Sequence, residues 1–275
     1  MNAPISVDLD AYLVRIGHAG PTAPTLETLR ALVAAHIAAI PFEALDVLAG
    51  KIVALDPQAV DAKLIHARRG GYCYEQNGLL RRVLLALGFQ VEGRLARVRW
   101  QMPPGAPPTP RSHMMLRVTI DGVPWLADVG FGSLVPDAPL RMADEAPQRT
   151  RHDLFRLVPS DGNLRLEADV EGAWLPVYEI DPAPQLDIDY EVANWFTATN
   201  PGSHFRYRLI VTRTTGEGRF VLAGNRLTIR RPGKPMERRF LDAGEIERAL
   251  AETFALPFDP AWRPLLERAA AAAEA

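Results

Sequence analysis

The residue best suited to chemistry is Cys73, the single cysteine in 275 residues. It follows Gly70 and Gly71, which allow tight turns and close approach of the backbone. It precedes a helical pattern of apolar residues from Leu79 to Leu87. A thiol at the start of a helix lies at the positive end of the helix dipole, which favours the thiolate. These are the surroundings of a nucleophile, although an isolated cysteine is more often a small apolar core residue.

A cysteine nucleophile needs a base that accepts its proton and a third group that orients the base. His113 begins a predicted strand that Asp121-Gly122, a two-residue hairpin turn, joins to the next strand. Pairing across this turn places Asp128 diagonally from His113 on the same face, within plausible reach of the ring. The sequence therefore predicts a histidine–carboxylate pair, to which only tertiary packing can bring the cysteine.

The chain around these residues changes from helical periodicity to alternation. We predict helices over 8–16, 25–40, 56–67, 73–87, 190–199, 243–254 and 260–273. We predict strands over 89–100, 112–120, 123–129, 154–158, 164–168, 174–180, 205–212, 219–222 and 226–230. A proline-rich loop lies at 101–110. The middle section is therefore expected to form a compact antiparallel barrel or sandwich.

Composition excludes several classes of protein. The net charge of −2 offers no electrostatic case for binding nucleic acid or an anionic membrane. One cysteine permits no intramolecular disulfide, and no metal-ligand spacing or phosphate-binding glycine motif occurs. The first residues lack the features of a signal peptide, and no apolar run approaches ~18 residues. We therefore expect a cytoplasmic protein without a membrane span.

Four ordered motifs resemble the arylamine N-acetyltransferase family. They are Ile40-Pro41-Phe42-Glu43, Arg69-Gly70-Gly71-Tyr72-Cys73-Tyr74-Glu75-Gln76-Asn77, Ser112-His113-Met114 and Asp128-Val129-Gly130-Phe131-Gly132. Ala44 departs from the family pattern, which has asparagine after the glutamate of the first motif. The resemblance implies an α+β fold with a helical bundle over 1–88 carrying the cysteine, an antiparallel β-barrel over 89–189 carrying the histidine and aspartate, and an α/β lid over 190–275.

The same resemblance implies roles for individual residues. Cys73, His113 and Asp128 match the family's catalytic triad, in a cysteine-protease-like arrangement. The residues implied to bind substrate are Phe42, Phe131, Gly132 and Phe205, of which Phe205 belongs to a loop that could reach coenzyme A. Glu43 and Arg69 match a salt bridge that ties the first helices to the cysteine loop.

The implied activity is transfer of an acetyl group from acetyl-coenzyme A to the nitrogen or oxygen of arylamines, arylhydroxylamines and hydrazines. The expected kinetics are ping-pong, through an acetyl-Cys73 intermediate. Acetyl-coenzyme A would be a substrate, with no permanently bound cofactor and no metal. Partners would be small molecules, without nucleic acid or membrane, in a monomer or a homodimer. The alternatives are an amide synthase that uses the same triad, a transglutaminase-like cysteine hydrolase, and a catalytically silent binding protein.

Overall fold

A computed structural model of the protein describes residues 7–103 and 105–272. The helices are α1 (Leu9–Ile16), α2 (Leu26–Ala39), α3 (Leu45–Leu48), α4 (Pro57–Asp61), α5 (Cys73–Ala86), α6 (Asp187–Thr199), α7 (Ala243–Glu252) and α8 (Arg263–Ala271). The strands are β1 (Phe42–Glu43), β2 (Gln90–Val98), β3 (Arg111–Ile120), β4 (Val123–Ala127), β5 (Leu140–Arg141), β6 (Gln148–Arg149), β7 (Leu154–Ser160), β8 (Asn163–Val170), β9 (Ala173–Ile180), β10 (Ile210–Thr215), β11 (Gly218–Ala223), β12 (Arg226–Arg230) and β13 (Glu237–Phe240).

The first helices begin and end where the sequence supplies capping groups. Side-chain oxygens of Asp8, Thr25 and Asp56 accept hydrogen bonds from backbone N–H groups in the first turns of α1, α2 and α4. Gly17 ends α1 in the left-handed conformation, with φ of 67°. These ends lie within a residue or two of the predicted ones.

Two antiparallel sheets follow the helices. The larger sheet has eight strands in the order β5-β4-β3-β2-β9-β8-β7-β6, which curl into a near-closed barrel. The smaller has five strands in the order β1-β10-β11-β12-β13. Asp121 and Gly122 both take positive φ, 51° and 76°, as the turn between β3 and β4 requires. Leu116 pairs with Ala127 and Val118 with Trp125, the register that the hairpin predicts.

The two faces of β3 belong to different parts of the core. Leu116 and Val118 pack with the buried side chains of α2 and α5. Met115 points the other way and packs inside the barrel with residues of β7, β8 and β9. His113 has the same parity as Met115, so the alternation of the strand directs the imidazole towards the barrel side.

The predicted α+β fold is confirmed, with helices first, an antiparallel barrel in the middle, and a smaller sheet with helices at the end. The boundaries of the three predicted domains stay a prediction. Across 7–103 and 105–272, no helix combines the length and the apolar character that crossing a membrane requires.

Several local predictions were wrong. Residues 205–212 do not form one strand, because 204–206 make a 3₁₀ turn and the strand begins only at Ile210. The helix predicted over 56–67 is present, although its second half, 62–66, is π-helical. The end of the last predicted helix, at 273, lies outside the described residues. The short segments α3, β1, β5, β6 and β13 were missed, because two to four residues carry too little periodicity to reveal an element.

Candidate functional site

The loop before α5 is held against the segment that precedes α3. Gly71 forms a parallel bridge with Phe42, and Glu43 donates its N–H to the Gly71 carbonyl at 3.0 Å. A Cβ at Gly70 would lie 2.2 Å from the Pro41 carbonyl oxygen, so this approach excludes any other residue type. Gly70 and Gly71 thus allow the loop before Cys73 to touch the backbone of Pro41–Glu43 directly.

Ion pairs reinforce the same contact. Arg69 donates two hydrogen bonds, of 2.9 and 2.7 Å, to one oxygen of the fully buried Glu43 carboxylate, so the implied salt bridge is present. Lys63 bridges Asp46 and Glu75 at 2.7 Å each. Glu75 also accepts the N–H of Tyr72 at 3.0 Å and so caps the start of α5. Helix, loop and the preceding segments are therefore fixed to one another at Cys73.

Ala44 occupies the N-cap position of α3, where its methyl group makes no capping hydrogen bond. The missing cap is replaced by its neighbour, because the second oxygen of Glu43 accepts the N–H of Leu45 at 2.7 Å. The departure from the family pattern therefore leaves this helix start satisfied.

His113 and Asp128 form a buried pair. The His113 Nε2 lies 2.7 Å from the Asp128 Oδ2, and the two side chains are 3% and 0% exposed. Burial alone would lower the pKa of His113. The charge and hydrogen bond of Asp128, together with the hydrogen bond to Cys73, outweigh it and raise this pKa to about 10. The ring is thus held as an imidazolium, and its Nδ1 is left for the thiol.

Asp128 is surrounded by donors. Its Oδ1 accepts from the Asn77 side-chain amide at 3.0 Å and from the Gly130 N–H at 2.8 Å. Its Oδ2 accepts from Tyr178 at 3.0 Å in addition to His113. Burial would raise the pKa of Asp128, but the charge of His113 and these hydrogen bonds lower it. The carboxylate is therefore held ionised in the protein interior.

Cys73 reaches this pair because Gly130 leaves room for it. A Cβ at Gly130 would lie 2.6 Å from the Cys73 Cα and 2.8 Å from the Asn77 Nδ2. The thiol, free and only 5% exposed, lies 3.9 Å from the carbonyl oxygen of Ser112, the neighbour of His113. The fold thus brings Cys73, His113 and Asp128 together, as a nucleophile, a base and an orienting carboxylate would require.

Two groups of aromatic rings lie next to residues of the site. The Phe131 ring lies 5.1 Å from the His113 ring and 5.2 Å from the Tyr178 ring, centroid to centroid. In the second group, the Phe205 ring lies 6.0 Å from the rings of both Phe42 and Tyr72. Gly132 adjoins that second group: with φ of 85°, its Cβ position would lie 3.6 Å from the Phe42 ring. All four residues predicted to bind substrate lie in these two groups, and their role stays a prediction.

A buried series of side-chain hydrogen bonds holds the cysteine loop in place. Gln76 donates to the carbonyl oxygens of Pro41 and Gly71, at 2.9 and 3.1 Å, so its Oε1 must be the acceptor for His36 Nε2 at 2.6 Å. His36 Nδ1 is then the acceptor for the Tyr12 hydroxyl at 2.8 Å. Burial lowers the pKa of His36 to about 4, in agreement with a neutral ring that donates from one nitrogen and accepts at the other.

This series of hydrogen bonds predicts a pH dependence of stability. The unfolded protein binds a proton at His36 near pH 6.5 and the folded protein only near pH 4, so stability falls as the pH drops through that window, by at most about 3 kcal/mol. Urea unfolding from about pH 7 to about pH 4 should show the destabilisation by His36→Gln shrinking as the pH falls. A difference between the two proteins that does not change with pH would contradict a neutral His36.

The sequence did not predict the parts played by Asn77, Tyr178, Gln76 and His36. Asn77 and Gln76 stand within the cysteine motif, and their position one turn after Cys73 was the one available signal. Tyr178 comes from a strand more than sixty residues after His113 in the chain, and His36 lies forty residues before Gln76. Contacts at such separations leave no periodic signal in a single sequence.

Comparisons with known proteins give consistent results. A family model described as N-acetyltransferase matches residues 25–263. An arylamine N-acetyltransferase of Mycolicibacterium smegmatis is 42% identical over 92% of this chain and 93% of its own. The structure of the Mycobacterium marinum arylamine N-acetyltransferase superposes with a TM-score of 0.92 at 38% identity, covering 96% of this chain and 100% of that one. The M. marinum enzyme in complex with CoA superposes with a TM-score of 0.89 at 40% identity, over 95% and 98% of the two chains.

Proposed function

This chain belongs to the arylamine N-acetyltransferase family, and on that premise we propose that it transfers an acetyl group from acetyl-coenzyme A to the nitrogen or oxygen of arylamines, arylhydroxylamines and hydrazines. The observation that carries the proposal is the buried His113–Asp128 pair beside the free thiol of Cys73. We propose these three residues as the catalytic triad. Acetyl-coenzyme A enters as a substrate, and the site residues need no further cofactor.

In the first half-reaction, the Cys73 thiolate attacks the carbonyl carbon of the thioester. The carbon–sulfur bond to coenzyme A breaks, coenzyme A leaves with the proton held by His113, and acetyl-Cys73 remains. Asp128 keeps Nε2 of His113 protonated and supports the positive ring through this step. The N–H groups at the start of α5, which have no partner within the helix, supply donors for the oxyanion.

In the second half-reaction, the amine or hydroxylamine attacks acetyl-Cys73. Neutral His113 accepts the proton of the nucleophile through Nδ1, and the thiolate of Cys73 leaves as the product forms. The partly buried rings of Phe131, which contacts His113, and of Phe205, which contacts Tyr72, pack against the cluster that contains Cys73 and offer apolar surface that suits a flat aromatic acceptor. We therefore propose Phe42, Phe131, Gly132 and Phe205 as the residues that contact substrates.

Intact-protein mass spectrometry after a single turnover tests the proposal. With acetyl-coenzyme A, one acetyl group per chain is expected on the unmodified protein and none on Cys73→Ala. An arylamine or a hydrazine should then remove the acetyl group faster than water does.

The same measurement distinguishes the alternatives. Loss of the acetyl group to water as fast as to any amine would indicate a hydrolase. Acylation by a carrier-bound thioester and by no acyl-coenzyme A would indicate an amide synthase. If no acyl donor modifies Cys73, the proposed transfer is wrong.

A further inference from the structure

Arg219 on β11 is a buried arginine, with 2% of its side chain exposed. It forms an ion pair with Asp153, just before β7, in which Nη2 and Oδ2 lie 2.6 Å apart. The same nitrogen donates a hydrogen bond of 2.7 Å to the carbonyl oxygen of Val135, and Nη1 donates one of 3.2 Å to the hydroxyl of Thr214. A buried charge is costly unless it is paired and hydrogen-bonded. Arg219 therefore joins the smaller sheet to two segments that lie between strands of the barrel.

Val135 ends a short loop that begins beside Cys73. Residues 131–135, which we call the 131–135 loop, directly follow the glycine that packs against the Cys73 Cα. The Phe131 ring packs against the ring of the proposed base. At the far end, the N–H of Val135 donates to a carbonyl oxygen within the loop at 3.3 Å, and the carbonyl oxygen of Val135 accepts from Arg219. The loop is thus held at Cys73 and at Arg219.

The backbone of the loop depends on Arg219 for its conformation. In the part of the chain that the structure describes, Arg219 is the one side chain that hydrogen-bonds to this backbone. A buried carbonyl group without a partner is costly, so loss of Arg219 favours rearrangement of the loop around Val135. Gly132, with φ of 85°, is the residue at which the loop can bend, because glycine adopts many backbone conformations.

We infer that Arg219 is a positioning residue for the aromatic acceptor. It acts through the Val135 carbonyl, which fixes the loop and with it the places of Phe131 and Gly132 relative to Cys73. The inference rests on the proposed function, in which Phe131 and Gly132 contact substrates. Among the described residues, the polar partners of Arg219 include none of the triad. Its effect should therefore fall on the choice of acceptor and not on activation of the thiol.

The test compares two acceptors at saturating acetyl-coenzyme A: an arylamine, and unsubstituted hydrazine, which has no ring. Arg219→Met should lower the ratio of kcat/KM for the arylamine to kcat/KM for hydrazine by at least about 10-fold, because only the arylamine uses the Phe131 ring. Loss of folded enzyme would lower both values equally and leave the ratio unchanged. Arg213→Met is the matched control on the same sheet. Arg213 donates to the carbonyl oxygens of Ala38 and Thr253, at 2.7 and 3.0 Å, and its replacement should not change the ratio.

A double variant separates positioning from stability. Arg219→Met leaves one oxygen of the buried Asp153 carboxylate without its ion pair, while Arg230 still donates to the other at 3.0 Å. The single variant should therefore unfold at a lower urea concentration than the unmodified protein. Adding Asp153→Asn removes the charge and should recover stability. The ratio should stay low, because the Val135 carbonyl still lacks its donor.

Three results would overturn the inference while leaving the proposed function intact, in a protein that acetylates both acceptors. They are an unchanged ratio in Arg219→Met, a ratio that Asp153→Asn restores together with stability, and alkylation of Cys73 by iodoacetamide that Arg219→Met slows more than about 10-fold, which would place its effect at the triad. If the unmodified protein acetylates neither acceptor, the proposed function is wrong and the inference fails with it.

Discussion

Replacing Asp128 by asparagine is expected to lower kcat/KM for acetyl transfer by about 10³- to 10⁴-fold. Asp128→Asn keeps the size of the side chain and removes its charge. Burial disfavours the imidazolium form of His113, and the carboxylate is the main group that offsets this effect. Without it the pKa of His113 falls, and the ring no longer holds the proton that the Cys73 thiol must give up.

The hydrogen bonds around Asp128 add to the effect. All four groups that contact the carboxylate are donors: the His113 ring, Tyr178, Asn77 and the Gly130 N–H. An amide has one accepting end and one donating end, so one pair of these donors would face an NH₂ group. If the NH₂ group replaces the oxygen that faces His113 and Tyr178, Nε2 of His113 must become the acceptor. The imidazole then takes the tautomer in which Nδ1 carries the proton, and Nδ1 cannot accept a proton from the thiol.

Alkylation of Cys73 by iodoacetamide at about pH 6.5 measures the activated thiol directly, independently of any acetyl donor. Asp128→Asn should slow alkylation and acetyl transfer together. Tyr178→Phe is the control, because it removes one donor to Asp128 and keeps the charge, and it should cost about 10-fold in kcat/KM. The fold of Asp128→Asn is to be verified by circular dichroism. If Cys73 of this variant is alkylated as fast as in the unmodified protein, and kcat/KM for acetyl transfer falls by less than about 10-fold, Asp128 does not orient the base.

Local sequence was enough to predict the His113–Asp128 pair. The Asp121-Gly122 turn sets the register of β3 and β4, and the register sets which side chains share a face. The predicted diagonal relation is accordingly seen as a 2.7 Å hydrogen bond. The start of α5 at Cys73 was predicted on the same basis, from two glycines and an apolar helical pattern. These features depend on neighbours within a few residues.

The approach of Cys73 to that pair could not be predicted from spacing. It depends on the absence of a side chain at Gly130, on Asn77 reaching across to Asp128, and on Gly70 meeting Pro41. Each contact joins residues about thirty to sixty positions apart. The family resemblance implied that the two halves of the site meet. Residue types and spacing alone predicted only an activated Cys73 and a separate His113–Asp128 pair.

Helix α6 shows a second limit of periodicity. The helix over 190–199 was predicted. Apolar residues at helical spacing ordinarily form the buried face of a helix, whereas those around Val192 in α6 are exposed. Here Asn194 and Thr197 point inward, because the tyrosines on either side of Cys73 offer them hydroxyl groups. Gly93 contributes on the barrel side: a Cβ there would lie 2.2 Å from the Tyr190 hydroxyl oxygen. Specific polar contacts have thus overridden the apolar pattern.

Gly130→Ala is expected to lower kcat/KM by about 100-fold and to destabilise the protein by about 1–3 kcal/mol. The φ of Gly130 is not in the left-handed region, so the backbone itself can accept alanine. The added methyl group would nevertheless lie 2.6 Å from the Cys73 Cα and 2.8 Å from the Asn77 Nδ2. The Cys73 Cα is a backbone atom and cannot rotate away, so α5 must move relative to the hairpin that carries His113.

That movement would separate the thiol from its base, because a displacement of about 1 Å at a reacting group costs about 10²-fold in rate. It would also disturb the Asn77 hydrogen bond to Asp128. Gly78→Ala is the matched control: it lies five residues beyond Cys73 in α5, and a Cβ there meets no heavy atom within 4 Å. Alanine at that position should raise the free energy of unfolding by up to about 1 kcal/mol and leave kcat/KM unchanged. The free energy of unfolding in urea and the steady-state kcat/KM are to be measured for both variants. If kcat/KM is the same for Gly130→Ala and Gly78→Ala, close packing of Cys73 on the hairpin does not control catalysis.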